Sequence, residues 1–216
     1  MLSLFSIFIL NLQMVIPKMK SYSIYLNYLI VKFQNHKIIV AFTGYTGEAG
    51  CEIFVETEVV VPLWQALIEY GKALSIVPVG LGARDTLRTE KKYSLYGNEI
   101  DDQINPYAAG LGWVIKPLAK DFMGKKKILA AKEKGNLPAL VGFKMKDKGI
   151  PRHGYELFNK NGEKIGIVTS GTHSPSLNEP IGIGYVPQEM AALGSQFFID
   201  IRGRKVPVET VKTPFC

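Results

Sequence analysis

A chain of 216 residues with 47% hydrophobic and 21% charged side chains can bury one sizeable core or two modest ones, which excludes intrinsic disorder and a long coiled coil. Twenty-one glycines and 12 prolines scattered among β-branched and aromatic residues suit short strands and tight turns better than a helical bundle, and no collagen-like period is present. The net charge of +7 favours an anionic small molecule, an acidic protein or nucleic acid as partner. Two cysteines, Cys51 and Cys216, are too few for a disulfide framework or a thiolate metal site and point to a reducing compartment.

The first 17 residues, MLSLFSIFILNLQMVIP, carry no charge, but Asn11 and Gln13 interrupt the apolar run and Pro17 closes it near the lower length limit for a membrane span. A secretory signal needs basic residues before its apolar stretch, and the first cation here is Lys18. Neither membrane insertion nor export is expected. Residues 21–37 are rich in Tyr, Ile and Leu and read equally as a strand, a buried connector or a segment that never folds alone.

From Ile38 the pattern is regular. IIVAF (38–42), the glycine-rich TGYTGEAG and CEIFVET (51–57) read as strand, turn, strand. VVVPLWQALIEYGKAL (59–74) has Leu63, Ala66, Leu67, Tyr70 and Leu74 at helical spacing, with Pro62 in the first turn where it is tolerated. GLGARDTLRTEKKY (80–93) is rich in helix formers, and Leu81, Arg84, Leu87 and Arg88 share one face. Two arginines on a packed stripe need partners. LYGNEIDDQINPYAAGLGWVI (95–115) reads as loop until Trp113, and DFMGKKKILAAKEKG (121–135) as a helix stopped at Gly135.

After Leu137 come six short strand-like runs, ALVGFKM, ELFN, KIGIVTS, IGIGYVP, QFFIDIR and KVPVETV, separated by turn text such as NKNG and RG. They predict a small β-barrel or sandwich after an α+β part. The expected fold class is thus α+β, with an unassigned N-terminal segment (1–37), an α+β domain (38–136) and an all-β domain (137–216).

The chemistry offers several candidates. GYTGEAG clusters backbone N–H groups that can cradle an anion, but it has neither the G-x-G-x-x-G nor the G-K-[ST] register, and spacing favours a plain hairpin turn. Glu52, at the start of an apolar strand, needs donors, either Arg84 or a ligand with adjacent N–H groups. Arg84 and Asp85 could pair with each other, and Tyr93, Tyr96 and Trp113 could be core aromatics with satisfied polar tips. Taken together, one carboxylate, one guanidinium and three aromatics describe a slot for a flat, hydrogen-bonding ring. No stripe of basic and aromatic residues of the kind that binds single strands is present, so nucleic acid is not the expected partner. His36, His153 and His173 have no metal-ligand spacing and no nucleophile arranged beside them.

TGYTGEAGCEIF (43–54), GLGARDTLRTE (80–90), LYGNEID (95–101), AGLGWVIK (109–116), DFMGKKKIL (121–129), GIPRHGYEL (149–157), GIVTSGTHSPSL (166–177) and IGIGYVP (181–187) together resemble the aminomethyltransferases, the T-protein family of the glycine cleavage system. The resemblance runs in the family's order over residues 38–215. It implies transfer of a one-carbon unit from an aminomethyl group on the lipoyl arm of the H-protein to tetrahydrofolate, with release of ammonia, in the cytoplasm. It also implies the end of a folate-binding α+β domain followed by a C-terminal barrel.

Carried over residue by residue, the family's folate site falls on Tyr45, Glu52, Arg84, Tyr93 and Trp113, with Arg152 contributed by the C-terminal domain. A carboxylate at Glu52 can accept from the amino group and neighbouring ring N–H of a pterin, which would orient the ring. The polyglutamate tail of folate and an acidic lipoyl carrier would both favour a cationic rim. Three departures stand out. Residues 1–37 do not resemble the family's N-terminal portion, which carries the aspartate assigned to proton transfer, so no catalytic residue is assigned in this chain. The arginine usual two residues before the first glycine is Phe42, and the aromatic residue usual at the extreme C-terminus is Cys216.

The resemblance therefore implies a truncated aminomethyltransferase that holds one wall of the folate slot and is inert by itself. The alternatives are a non-catalytic folate-binding module and the tail of a sarcosine or dimethylglycine dehydrogenase, the latter requiring an upstream flavin domain.

Overall fold

The computed structural model describes residues 2–5 and 28–216. They divide into two compact units, residues 1–84 and 85–216.

The first unit contains strands β1 (Leu2–Phe5), β2 (Tyr28–Phe33), β3 (His36–Ala41) and β4 (Glu52–Glu56), followed by helix α1 (Thr57–Gly71) and a 3-10 turn (Lys72–Leu74). The strands form one antiparallel sheet in the order β1-β4-β3-β2. Alternation puts Ile38, Val40, Ile53 and Val55 on one face, where they pack with Cys51 and with Val59 and Leu63 of α1. Helix α1 starts two residues before the expected Val59, so Pro62 lies in its second turn rather than its first. The proline ring leaves the Glu58 carbonyl without the usual i+4 donor.

The undecided stretch 21–37 resolves in its second half. Tyr28–Phe33 is a strand, and a two-residue turn joins it to β3, with Phe33 opposite His36. Gln34 (φ 46°) and Asn35 (φ 68°) are both left-handed, as a type I′ hairpin requires. Gln in place of the usual Asn or Gly hides this turn from a sequence reading. The N-terminal apolar run contributes β1, which pairs with β4 from Leu2↔Glu56 to Phe5↔Ile53; the rest of that run lies outside the described residues. Among the described residues no helix is long and apolar enough to cross a membrane.

Helix α2 (Leu81–Glu90) spans the division between the units. The second unit continues through turns to α3 (Lys125–Glu133) and then β5 (Ala139–Met145), β6 (Glu156–Phe158), β7 (Lys164–Ser174), β8 (Glu179–Val186), β9 (Gln196–Ile201) and β10 (Arg204–Val211). All six expected runs form strands, and they close into a barrel in the order β10-β5-β8-β7-β6-β9. The fold class is α+β with a closed C-terminal barrel. Its core holds Phe143, Leu157, Val168, Val186, Phe197, Ile199, Val206 and Val208, with Phe143 and Phe197 edge to face at 5.7 Å. Gly182 leaves room for the Phe143 ring, which a Cβ at that position would strike.

One irregularity matters below. The β7–β8 register shifts between Val168 and Ser170, and such a bulge re-aims the side chains on either side of it. Thr169 and Ser170 are both buried in consequence.

Candidate functional site

In the first unit the glycine-rich segment is the loop between β3 and β4, closed by the pair Ala41↔Glu52. Inside it Thr46 is buried and its hydroxyl accepts from the Glu48 amide at 3.2 Å, an internal bond that lets the loop hold its shape. Tyr45 projects from this loop, and the Arg84 guanidinium carbon sits 4.6 Å from the centre of its ring. That distance is a cation–π contact. Glu52 opens β4 on the sheet face opposite Ile53 and Val55, is half-buried, and accepts a hydrogen bond from the Thr43 hydroxyl. The structure thus brings Tyr45 and Arg84 together and supplies Glu52 with a donor from the same loop. Its neighbour Cys51 has a thiol pushed up to about 11, by burial first and then by the Glu52 charge, so it is no thiolate at neutral pH.

In the second unit, of the two readings of Tyr93, Tyr96 and Trp113 the one as core aromatics is excluded: they are 39%, 71% and 74% exposed. Tyr93 follows a turn, Tyr96 precedes one and Trp113 lies within one, so no strand or helix face carries them inward. Leu81, expected on the packed stripe of α2, is also exposed. The buried end of that helix is polar instead, consisting of Arg88, Thr89 and Glu90. Arg152 is exposed on a loop tied to β7 by the backbone Gly154 N–H to the Val168 carbonyl at 2.9 Å and by the side-chain His153 Nδ1 to the Thr169 carbonyl at 2.7 Å.

A buried polar network supports the loop bearing Tyr93 and Tyr96. The Arg88 side chain is fully buried and donates to Asp85 (2.7 Å), Glu99 (2.6 Å), Ser170 (2.6 Å) and the Tyr93 carbonyl (3.2 Å). Asp85 therefore pairs with Arg88. The Tyr93 amide returns a bond to the Arg88 carbonyl at 2.8 Å. Glu99, also fully buried, accepts from the Leu95 amide and from Thr169, and Tyr185 donates to its carbonyl at 2.7 Å. Burial, together with the nearby Glu99 and Asp101 charges, raises the Tyr185 phenol well above its ordinary value, which keeps it a donor.

A second cluster surrounds Glu90, which accepts from the Ser174 hydroxyl, from the hydroxyl and amide of Ser176 and from the Cys216 thiol. Burial works to raise the Glu90 carboxyl, and these donors outweigh it and leave it below the usual range. Sequence reasoning missed both clusters. The one signal was a second arginine on a stripe of α2 that otherwise reads as packed, since a buried guanidinium requires acceptors.

Set beside known proteins, these features have a family. Residues 17–118 match the GCVT N-terminal domain and residues 139–216 match the glycine cleavage T-protein C-terminal barrel domain. The aminomethyltransferase of Bdellovibrio bacteriovorus is 61% identical over 183 residues, which are 85% of this chain and 51% of that protein. That of Halothermothrix orenii is 44% identical over 209 residues, 95% of this chain and 58% of its own length. The crystal structure of glycine cleavage system aminomethyltransferase T from Bartonella henselae superposes with a TM-score of 0.77 at 34% identity, covering 83% of this chain and 50% of that one. The chain belongs to the glycine cleavage T-protein, or aminomethyltransferase, family. It spans about half the length of the curated relatives it matches.

Proposed function

We propose that this chain serves tetrahydrofolate-dependent aminomethyl transfer in glycine cleavage, taking the one-carbon unit from the aminomethyl-lipoyl arm of the H-protein with release of ammonia. The observation that carries the reading is the Tyr45–Arg84 stack on the same unit as Glu52, in a chain 61% and 44% identical to relatives named aminomethyltransferase. Its donor and acceptor set fits the group: Glu52 is half-buried and negatively charged, able to accept from two adjacent N–H groups, and the Tyr45–Arg84 pair offers a flat, cationic surface. Tetrahydrofolate, when bound, supplies the nitrogens that accept the one-carbon unit.

Glu52 orients the ring and Arg84 lies against its face or its carboxylates, whereas a folate role for Tyr93, Trp113 and Arg152 rests on the family resemblance of their motifs alone. Two free thiols support a reducing, cytoplasmic setting. The proposed division keeps 1–37 unassigned, the end of the folate-binding domain in 38–136 and the barrel in 137–216.

The 216-residue polypeptide by itself is expected to bind folate feebly and to release no ammonia, because a slot walled on one side lacks burial and preorganisation. Calorimetry with tetrahydrofolate tests the site, and Glu52→Ala should abolish whatever heat of binding is measured. A measurable affinity unchanged by Glu52→Ala overturns the ring-orienting role. Folate-dependent ammonia release from aminomethylated H-protein by this polypeptide alone overturns its inertness while supporting the activity.

A further inference from the structure

Between Trp113 and Lys134 the second unit concentrates most of the excess charge of the chain, seven lysines against Asp121 and Glu133. The same stretch holds large apolar side chains in solvent: besides Trp113, Val114 is 51% exposed, Leu118 99% and Met123 100%. Single exposed apolar residues are ordinary, but a group this dense marks an interaction site. Helix α3, which ends the stretch, has no buried residue. Its local support is poor as well. Gly124 provides no side-chain cap, and Lys125, Lys126 and Lys127 occupy the first turn, where the helix dipole disfavours cations. Short helices in proteins are held mainly by packing of one face, and this one is only part-buried, at Lys125, Ile128, Leu129 and Ala131, with Asn105 Nδ2 donating to the Ile128 carbonyl at 3.2 Å and Lys132 over the Tyr107 ring at 4.3 Å.

The lengths supply the occupant. This chain corresponds to 51% of the Bdellovibrio relative and 50% of the Bartonella protein, so those proteins carry a comparable length of polypeptide beyond the part matched here. We infer that residues 114–127 form the docking surface for the half of the family's length that this chain does not span. Val114, Leu118 and Met123 are the apolar anchors, and the lysines form a rim that selects a partner face with an acidic border. All the cations of this stretch are lysines, point charges suited to scattered carboxylates rather than forks for phosphate. The inference rests on family membership and not on the folate reading.

The test mixes the full 216-residue chain with a separately produced polypeptide comprising the part of the Bdellovibrio relative outside the alignment, followed by sedimentation velocity. A one-to-one complex is expected, weakened about tenfold or more by the double variant Leu118→Asp, Met123→Asp and unchanged by Leu193→Asp, a variant at a side chain of the same unit that is 67% exposed. Circular dichroism and the thermal transition verify that the variants fold. Absence of a complex, or a complex insensitive to the double variant, overturns the inference. So does a homodimer of the wild-type chain, or its binding to phosphatidylserine vesicles, that the double variant abolishes while the mixed complex survives. The two readings fail separately: a complex that depends on Leu118 and Met123 yet releases no ammonia counts against the proposed activity alone, and an active mixture indifferent to the double variant counts against the docking surface alone.

Discussion

The Arg88 guanidinium meets the Glu99 carboxylate at 2.6 Å with both side chains fully buried. Eleven residues separate them in the chain, and the bond closes the turn that carries Tyr93 and Tyr96 against the bulge in β7, where Thr169 completes Glu99 and Ser170 completes Arg88. The desolvation of two ions is offset only because nearly every donor and acceptor is used. Among the described residues no buried side-chain nitrogen or oxygen lacks a partner.

Removing one end of this pair is therefore expected to be severe. Arg88→Ala should destabilise the second unit by about 3–5 kcal/mol, since it strands a buried carboxylate. Arg88→Met combined with Glu99→Leu should recover much of that loss. Urea denaturation of the two variants checks the order; a double variant less stable than Arg88→Ala contradicts it.

The Glu90 carboxyl sits below its ordinary value in the folded chain. A depressed carboxyl contributes stability that is present above the unfolded value of roughly 4.3 and is lost as the pH falls through the folded value. The thermal midpoint of the wild-type chain should thus drop on acidification from pH 5 to pH 3. Glu90→Gln should be less stable at pH 7 and show a shallower drop over that window. Parallel curves for the two proteins would exclude Glu90 as the titrating group.

The two thiols should differ in reactivity. Cys216 is exposed, whereas Cys51 is buried with its thiol pushed up to about 11. Titration of the native chain with an aromatic disulfide reagent at pH 8 should modify one thiol rapidly and the second only on unfolding. Cys216→Ser should remove the rapid phase, and persistence of that phase would place it on Cys51.

Gly182→Ala should destabilise the barrel by about 1–3 kcal/mol, because the new methyl group would drive into the Phe143 ring at the centre of the core. The paired change Gly182→Ala with Phe143→Leu should be milder than the sum of its parts. Thermal unfolding of the three variants measures the coupling, and strict additivity would show that the ring does not make the close contact.

Some of this was legible beforehand. The barrel strands announced themselves as alternating runs between turns, because one face of each strand meets the core, and α1 through its helical spacing. The hairpin turn at Gln34–Asn35 was not, since a left-handed glutamine is an uncommon turn signal. Nor was the polar end of α2, because Arg88 and Ser170 lie 82 positions apart and local periodicity carries no information about such partners.

The order of residues alone determined most element types from Ile38 onward, the six strand runs of the all-β part and the family, all of which depend on short-range pattern and on motif text. Folding in three dimensions decided which charges are sheltered, that Tyr93, Tyr96 and Trp113 face water, and that Arg84 lies over Tyr45. Those outcomes hinge on desolvation and on contacts between distant segments, whose energies exist only once the chain has brought them together.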